Sequence, residues 1–209
     1  MLNKRKWLNS KHLFFGCFLF CFTGISYAQE VPSPTKPIEI LYQSLISTMK
    51  KSKELGINGR FNKLAPVLQN TYDVPTMAKS SVGRSWENLQ PTQKSEIINA
   101  FSRMMIATYA SRFNGYDGEY FEINEILDQP PSDKIIKTKI VPKTSKPVEL
   151  NYIVRRDQES WRIIDVYLGG TISEIATRRA EFSSILKSSG PEGLVSSLQQ
   201  QGDKLLTSQ

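Results

Sequence analysis

The single histidine and both cysteines of this 209-residue chain are His12, Cys17 and Cys21, all within KHLFFGCFLFCFTGISYAQE, residues 11–30. An imidazole and two thiols could ligate a metal or supply a nucleophile. The stretch that carries them reads instead as a secretory signal. Lys4, Arg5, Lys6 and Lys11 form a basic start and residues 13–25 an apolar run. Ser26 and Ala28 are the small residues three and one positions before a cut after Ala28. The run is too short to span about 30 Å of hydrocarbon, which disfavours an uncleaved anchor. Phe14-Phe15-Gly16 makes a poor lipobox for lipid attachment at Cys17. The exported chain then keeps residues 29–209, without imidazole or thiol. That excludes Cys–His and Ser–His–Asp chemistry, the usual zinc sites and a disulfide framework. No P-loop pattern is present either.

Carboxylates remain. Glu119, Glu122 and Glu125 are clustered, and paired acids can hydrolyse glycosides, but Glu122 falls opposite Phe121 and Ile123 on an alternating segment and reads as solvated. Asp165 near Tyr167 offers an acid and a phenol, a pair that could isomerise a steroid-like substrate in a curved sheet. A structural hydrogen bond at a strand end accounts for Asp165 more simply. Gly169-Gly170 could seat an anion at a helix start, though Thr171 with Glu174 forms a capping box in the same place.

The elements that position these groups follow from periodicity. Residues 29–37 are Pro-rich and polar, a flexible lead-in. A helix with Ile38, Leu41, Leu45, Thr48 and Met49 on one face comes next, ending among Lys50, Lys51 and Lys53, and Asn58-Gly59 marks a turn. A second helix presents Phe61, Leu64, Val67 and Leu68. A third runs from an Asp73 cap to Gly83. Pro91 opens the strongest helix, whose stripe is Ile97, Phe101, Met104, Met105, Thr108, Tyr109 and Phe113 and which Asn114-Gly115 ends. The period then becomes two, in four runs at about 119–126, 133–141, 147–155 and 160–168, joined by turns too short for parallel crossovers. In the last run, Trp161 and Ile163 fall on one face and Ile164, Val166 and Leu168 on the other. A helix with Ile172, Ile175, Phe182, Ile185 and Leu186 follows, broken at Gly190-Pro191 before a piece with Leu194, Val195 and Leu198.

These readings give an α+β fold. A four-stranded twisted antiparallel sheet packs against N- and C-terminal helices, NTF2-like in outline. The divisions are a cleaved signal at 1–28, the lead-in at 29–37, one domain at 38–200 and a disordered tail at 201–209. Loss of the signal lowers formal net charge from +7 to +3, with 23 Lys+Arg against 20 Asp+Glu. No concentrated basic face remains for nucleic acid. What is abundant is apolar surface, with adaptable methionines on the long helix.

Four stretches carry a family resemblance: YDVPTMAKSSVGRSWENLQPTQKSEIINAF, ATYASRFNGYDGEYFEI, LNYIVRRDQESWRIIDVYLGG and RRAEFSSIL. Together they resemble the MlaC, or toluene-tolerance, family of periplasmic lipid-binding proteins, and within it the HpnM branch associated with hopanoid gene clusters. The resemblance implies a soluble carrier of phospholipid or hopanoid tails between the inner and outer membranes. Its partners would be an inner-membrane ABC-type complex with an MCE subunit, an outer-membrane acceptor or donor, and transiently the membrane surface. It implies no enzymatic activity and no cofactor. It marks Trp161 and Asp165 on the last strand, Tyr152, and an arginine (Arg178 or Arg179) ahead of Phe182. The spacing in GGTISEIATRRAEF is longer than in the phospholipid branch, which favours the hopanoid-linked one. With the fold so framed, periodicity nominates Leu64, Leu68, Tyr72, Val82, Trp86, Phe101, Met105, Tyr109, Ile123, Ile140, Leu150, Tyr152 and Val166 as the lining of a lipid pocket.

Overall fold

The computed structural model describes residues 32–157 and 160–207. The expected signal, 1–28, lies outside them, as does the start of the lead-in. Helix α1 spans Lys36–Met49 and buries Ile38, Leu41, Leu45, Thr48 and Met49, the face periodicity gives. It starts inside the expected lead-in, because Pro37 suits a first helical turn and is itself buried.

Asn58-Gly59 makes no turn. Both residues lie inside α2, Ser52–Thr71, and the break is at Gly56, with φ 57°. A side chain is strained in that left-handed conformation, so the glycine takes the kink. Buried Arg60 then ties α2 to its surroundings, donating to the Ala110 carbonyl at 2.8 Å and the Ser52 carbonyl at 3.1 Å. Lys50 is the C-cap of α1, Lys51 is the N-cap of α2 and Lys53 lies within it, so none sits in the last turn of α1.

Asp73 caps α3, Val74–Val82, by accepting from the Thr76 amide at 3.0 Å. A 3₁₀ turn, Gly83–Asn88, leads to α4, Pro91–Arg112, which opens on Pro91 with a Gln90–Gln93 capping box.

The sheet is an antiparallel meander in the order β1 (Tyr120–Gln129), β2 (Asp133–Val141), β3 (Val148–Asp157), β4 (Ser160–Leu168) and β5 (Ile172–Ser173). It therefore has five strands rather than four. The short β5 pairs Tyr167 with Ser173 and Leu168 with Ile172. The face reading for β4 is also corrected. Val154 pairs with Ile163 but Ile153 with Asp165, so Ile164 is an extra residue. This bulge puts Ile163, Val166 and Leu168 on one face, where strict alternation separates them. A similar irregularity in β1 falls between Ile123 and Glu125.

β5 displaces the expected helix start. Helix α5 spans Glu174–Thr207, with a kink at Gly190 beside Pro191. Its cap is Ser173 rather than Thr171: the Ser173 hydroxyl accepts from the Ala176 amide at 3.0 Å. Residues 201–207, expected as a disordered tail, are the last turns of α5. Gly202 is buried, and a Cβ there would lie 3.5 Å from the Met104 Cα, so α5 and α4 approach closely. Arg103 and Asp203 bridge the same helices at 2.6 Å.

One continuous apolar core joins α1, α2, α3, α4 and α5 to the inner sheet face. The outer face carries cross-strand ion pairs, Glu122–Lys139 and Glu125–Lys137, each at 2.8 Å. This is the solvated role expected for Glu122 and Glu125.

Candidate functional site: an apolar cavity between helix and sheet

Helix α4 does not close fully on the curved sheet. Between them lies a cavity of about 240 Å³. Met77 from α3 and Phe101, Met104 and Met105 from α4 line one side. Ile140 from β2, Leu150 and Tyr152 from β3, and Val166 and Leu168 from β4 line the other. The β4 bulge is what delivers Val166 and Leu168 to this side together with Ile163. Thr108, Tyr109 and Phe113 continue the α4 stripe but are only partly buried, because they face this space. Exposed Arg112 and Val148 mark its open side, with the half-buried Glu174 and Arg178 of α5.

Two tyrosine hydroxyl contacts hold the walls. Tyr72 and Tyr109 share a hydrogen bond between their hydroxyls, with rings edge to face at 6.0 Å. Thr138 donates to the Leu150 carbonyl at 2.6 Å, so the Tyr42 hydroxyl donates to Thr138. Burial pushes the Tyr109 phenol up to about 12 and raises the Tyr42, Tyr72 and Tyr152 phenols as well. All four are neutral near pH 7 and serve as packing groups with satisfied polar tips.

At the open side, Arg178 donates to Glu174 at 2.9 Å, to Glu181 at 3.0 Å and to Gln201 at 3.4 Å. It thereby joins the two halves of α5 across the Gly190 kink. Arg179, the other arginine of the resemblance, points elsewhere: it donates to the Ser80 carbonyl at 2.8 Å and lies over Gly83. Phe182 is fully buried, edge to face with Phe101 at 6.1 Å. Asp165 accepts from the Val166 amide at 2.8 Å, the Ser173 hydroxyl at 2.5 Å and the Ile175 amide at 3.1 Å. It is the clamp that fixes the start of α5, and with it Glu174 and Arg178. Asp165 pairs with Ile153 and Tyr167 with Asn151, on the sheet face turned away from the cavity. No acid–phenol site faces the cavity from these two residues.

Eight of the nominated residues line the cavity: Tyr72, Phe101, Met105, Tyr109, Ile140, Leu150, Tyr152 and Val166. Leu64, Leu68, Val82 and Trp86 instead fill the solid core. A helical stripe is buried whether it meets a neighbour or a void, so periodicity cannot separate the two. Ile123 lines an open groove beside β1, not the cavity. Met104, Thr108, Phe113 and Leu168 were also missed, although each belongs to a stripe or strand already read as apolar. Val148 belongs to the alternating run of β3, Arg178 is one of the two arginines that the resemblance marks and Glu174 reads only as part of a cap, whereas Met77 and Arg112 carry no comparable signal.

The profile of the MlaC protein family matches residues 39–200. Among solved structures, the phospholipid-binding protein from Ralstonia solanacearum, determined in complex with a phospholipid, superposes with a TM-score of 0.74 at 18% identity. The match covers 83% of this chain and 99% of that one. At that identity the likeness is one of fold.

Proposed function

The chain belongs to the MlaC family, and we propose that it is a periplasmic lipid carrier that holds phospholipid or hopanoid tails in the cavity between α4 and the sheet. The observation that carries this reading is an apolar space of about 240 Å³ in a fold whose Ralstonia counterpart was solved with a phospholipid bound. An apolar cavity of about 150 Å³ accepts a six-carbon ring, so this one has room for roughly ten carbons. At about 0.8 kcal/mol per methylene, that burial is worth about 8 kcal/mol before ordering costs. An acyl chain crossing water unaided has no such shelter.

The headgroup stays by Arg112, Glu174 and Arg178, because burying an unpaired charge in the apolar part is costly. The protein is the soluble component of an ABC-type system: it takes lipid from or gives it to an inner-membrane complex with an MCE subunit, and exchanges it with a partner at the outer membrane. Release is driven by a partner that opens the cavity or competes for the lipid. The test is solvent extraction of protein purified from cells, followed by mass spectrometry. Near-stoichiometric lipid is expected, and its identity separates phospholipid from hopanoid. Protein that emerges free of lipid, and takes none from vesicles, would leave an envelope adaptor as the better account.

A further inference from the structure

The cavity has room for only part of one long tail, yet a second apolar space adjoins it. A groove of about 520 Å³ lies between α1 and the start of β1, lined by Tyr42, Ile46, Tyr116, Tyr120, Phe121 and Ile123. Its exposed members are large: Tyr116 is 40% exposed, Tyr120 51% and Ile123 37%. The two spaces share a wall. Phe121 lines the groove, while Ile140, its partner across the β1–β2 ladder, lines the cavity. Phe113 lines the cavity with its ring 6.4 Å from that of Phe121. Tyr109 stacks on Phe113 at 5.6 Å and Tyr42 on Phe121 at 4.0 Å, so four rings in a row form the partition. Both spaces also reach the same end of the sheet, where Tyr120, Val141, Val148 and Leu168 lie. A ligand whose head sits at that end can send one chain to either side of the rings.

We propose that the α1–β1 groove is a second hydrocarbon compartment, and that a two-tailed lipid places one chain in the cavity and the other in the groove, straddling the Phe113–Phe121 partition. This rests on the lipid-carrier reading and deepens it to two-chain ligands. Lys50, whose ammonium lies 5.0 Å over the Tyr116 ring, and Glu39 and Glu119 give the groove a polar border. The second chain thus lies along an edge that water still reaches.

The test uses palmitoyl-oleoyl phosphatidylcholine and its one-tailed lyso form, which share a headgroup without net charge, and the variant Tyr120→Lys at an exposed groove position. Affinity of the variant for the two-tailed lipid is expected to fall about tenfold or more, while the one-tailed lipid binds as to the wild type. An equal change for both lipids, or none for either, would overturn the proposal. A diazirine on the second chain gives an independent reading. Crosslinks to Tyr116 or Ile123 are expected, and crosslinks confined to Met105 and Leu150 would place both chains in the cavity. Wild-type protein that binds neither lipid would instead bring down the carrier reading itself.

Discussion

Leu150→Trp should empty the cavity of lipid without unfolding the protein. Leu150 is the third residue of β3, fixed by Thr138 of β2 on one side and Leu168 of β4 on the other. Its side chain is 9% exposed and points into the cavity. Tryptophan brings about six more heavy atoms, and at roughly ten carbons for the whole space these displace roughly six methylenes of ligand. Returning six methylenes to water costs about 5 kcal/mol at about 0.8 kcal/mol each. A flexible chain recovers part of this by withdrawing, so the expected weakening is about 3 kcal/mol, a hundredfold in Kd. In a filled core the larger ring would itself destabilise by about 1–3 kcal/mol. Here it enters existing space, so the melting temperature should stay within a few degrees of wild type. The Thr138–Leu150 carbonyl bond is to backbone and persists. Met105→Trp, on the opposite wall, should act alike. The assay is transfer of a fluorescent acyl lipid from vesicles, with lipid content by extraction and fold by near-ultraviolet circular dichroism. Unchanged lipid content in both folded variants would refute this lining.

Asp165→Ala should destabilise the protein by about 2–4 kcal/mol, since the Val166 amide of β4 and two donors at the start of α5, the Ser173 hydroxyl and the Ile175 amide, lose their acceptor. For a domain of this size that lowers the melting temperature by roughly 5–15 °C, and Asp165→Asn, which keeps one acceptor oxygen, should lose less. A melt unchanged in the alanine variant would remove Asp165 from the clamp role. Alkaline titration should expose the buried phenols. Tyr109 is raised by burial to about 12 from an ordinary value near 10, so its neutral form is favoured in the folded state. Its contribution, on the order of 3 kcal/mol, is fully present below about pH 10 and is lost as pH rises towards about 12. Tyr42, Tyr72 and Tyr152 shift in the same direction. Tyrosinate absorbance from these residues should therefore appear together with loss of circular dichroism. Gradual ionisation of all four in a folded protein would contradict their burial.

Much of the architecture was written in local pattern. The α1 face, the Asp73 cap, Pro91 at the head of α4 and the meander all depend on residues a few positions apart, where periodicity and turn chemistry act. Elsewhere a distant partner overrode a local signal. Asn58-Gly59 reads as a turn, but Gly56 takes the kink and buried Arg60 holds the helix to α4. Thr171 reads as a cap, but pairing with β4 extends the strand and leaves capping to Ser173.

The sequence by itself determined which surfaces would be apolar, and it left residues 29–209 without imidazole or thiol. Only the tertiary structure decided where those surfaces meet and where they stand apart. Leu64 and Leu68 look no different in sequence from Leu150, yet the first two fill solid core and the third faces an opening. The reason is physical: hydrophobic burial rewards the removal of surface from water without specifying what covers it. The β4 bulge, the reach of α4 over the sheet and the rings between cavity and groove are set by contacts far apart in the chain, and these alone turn a greasy face into a chamber.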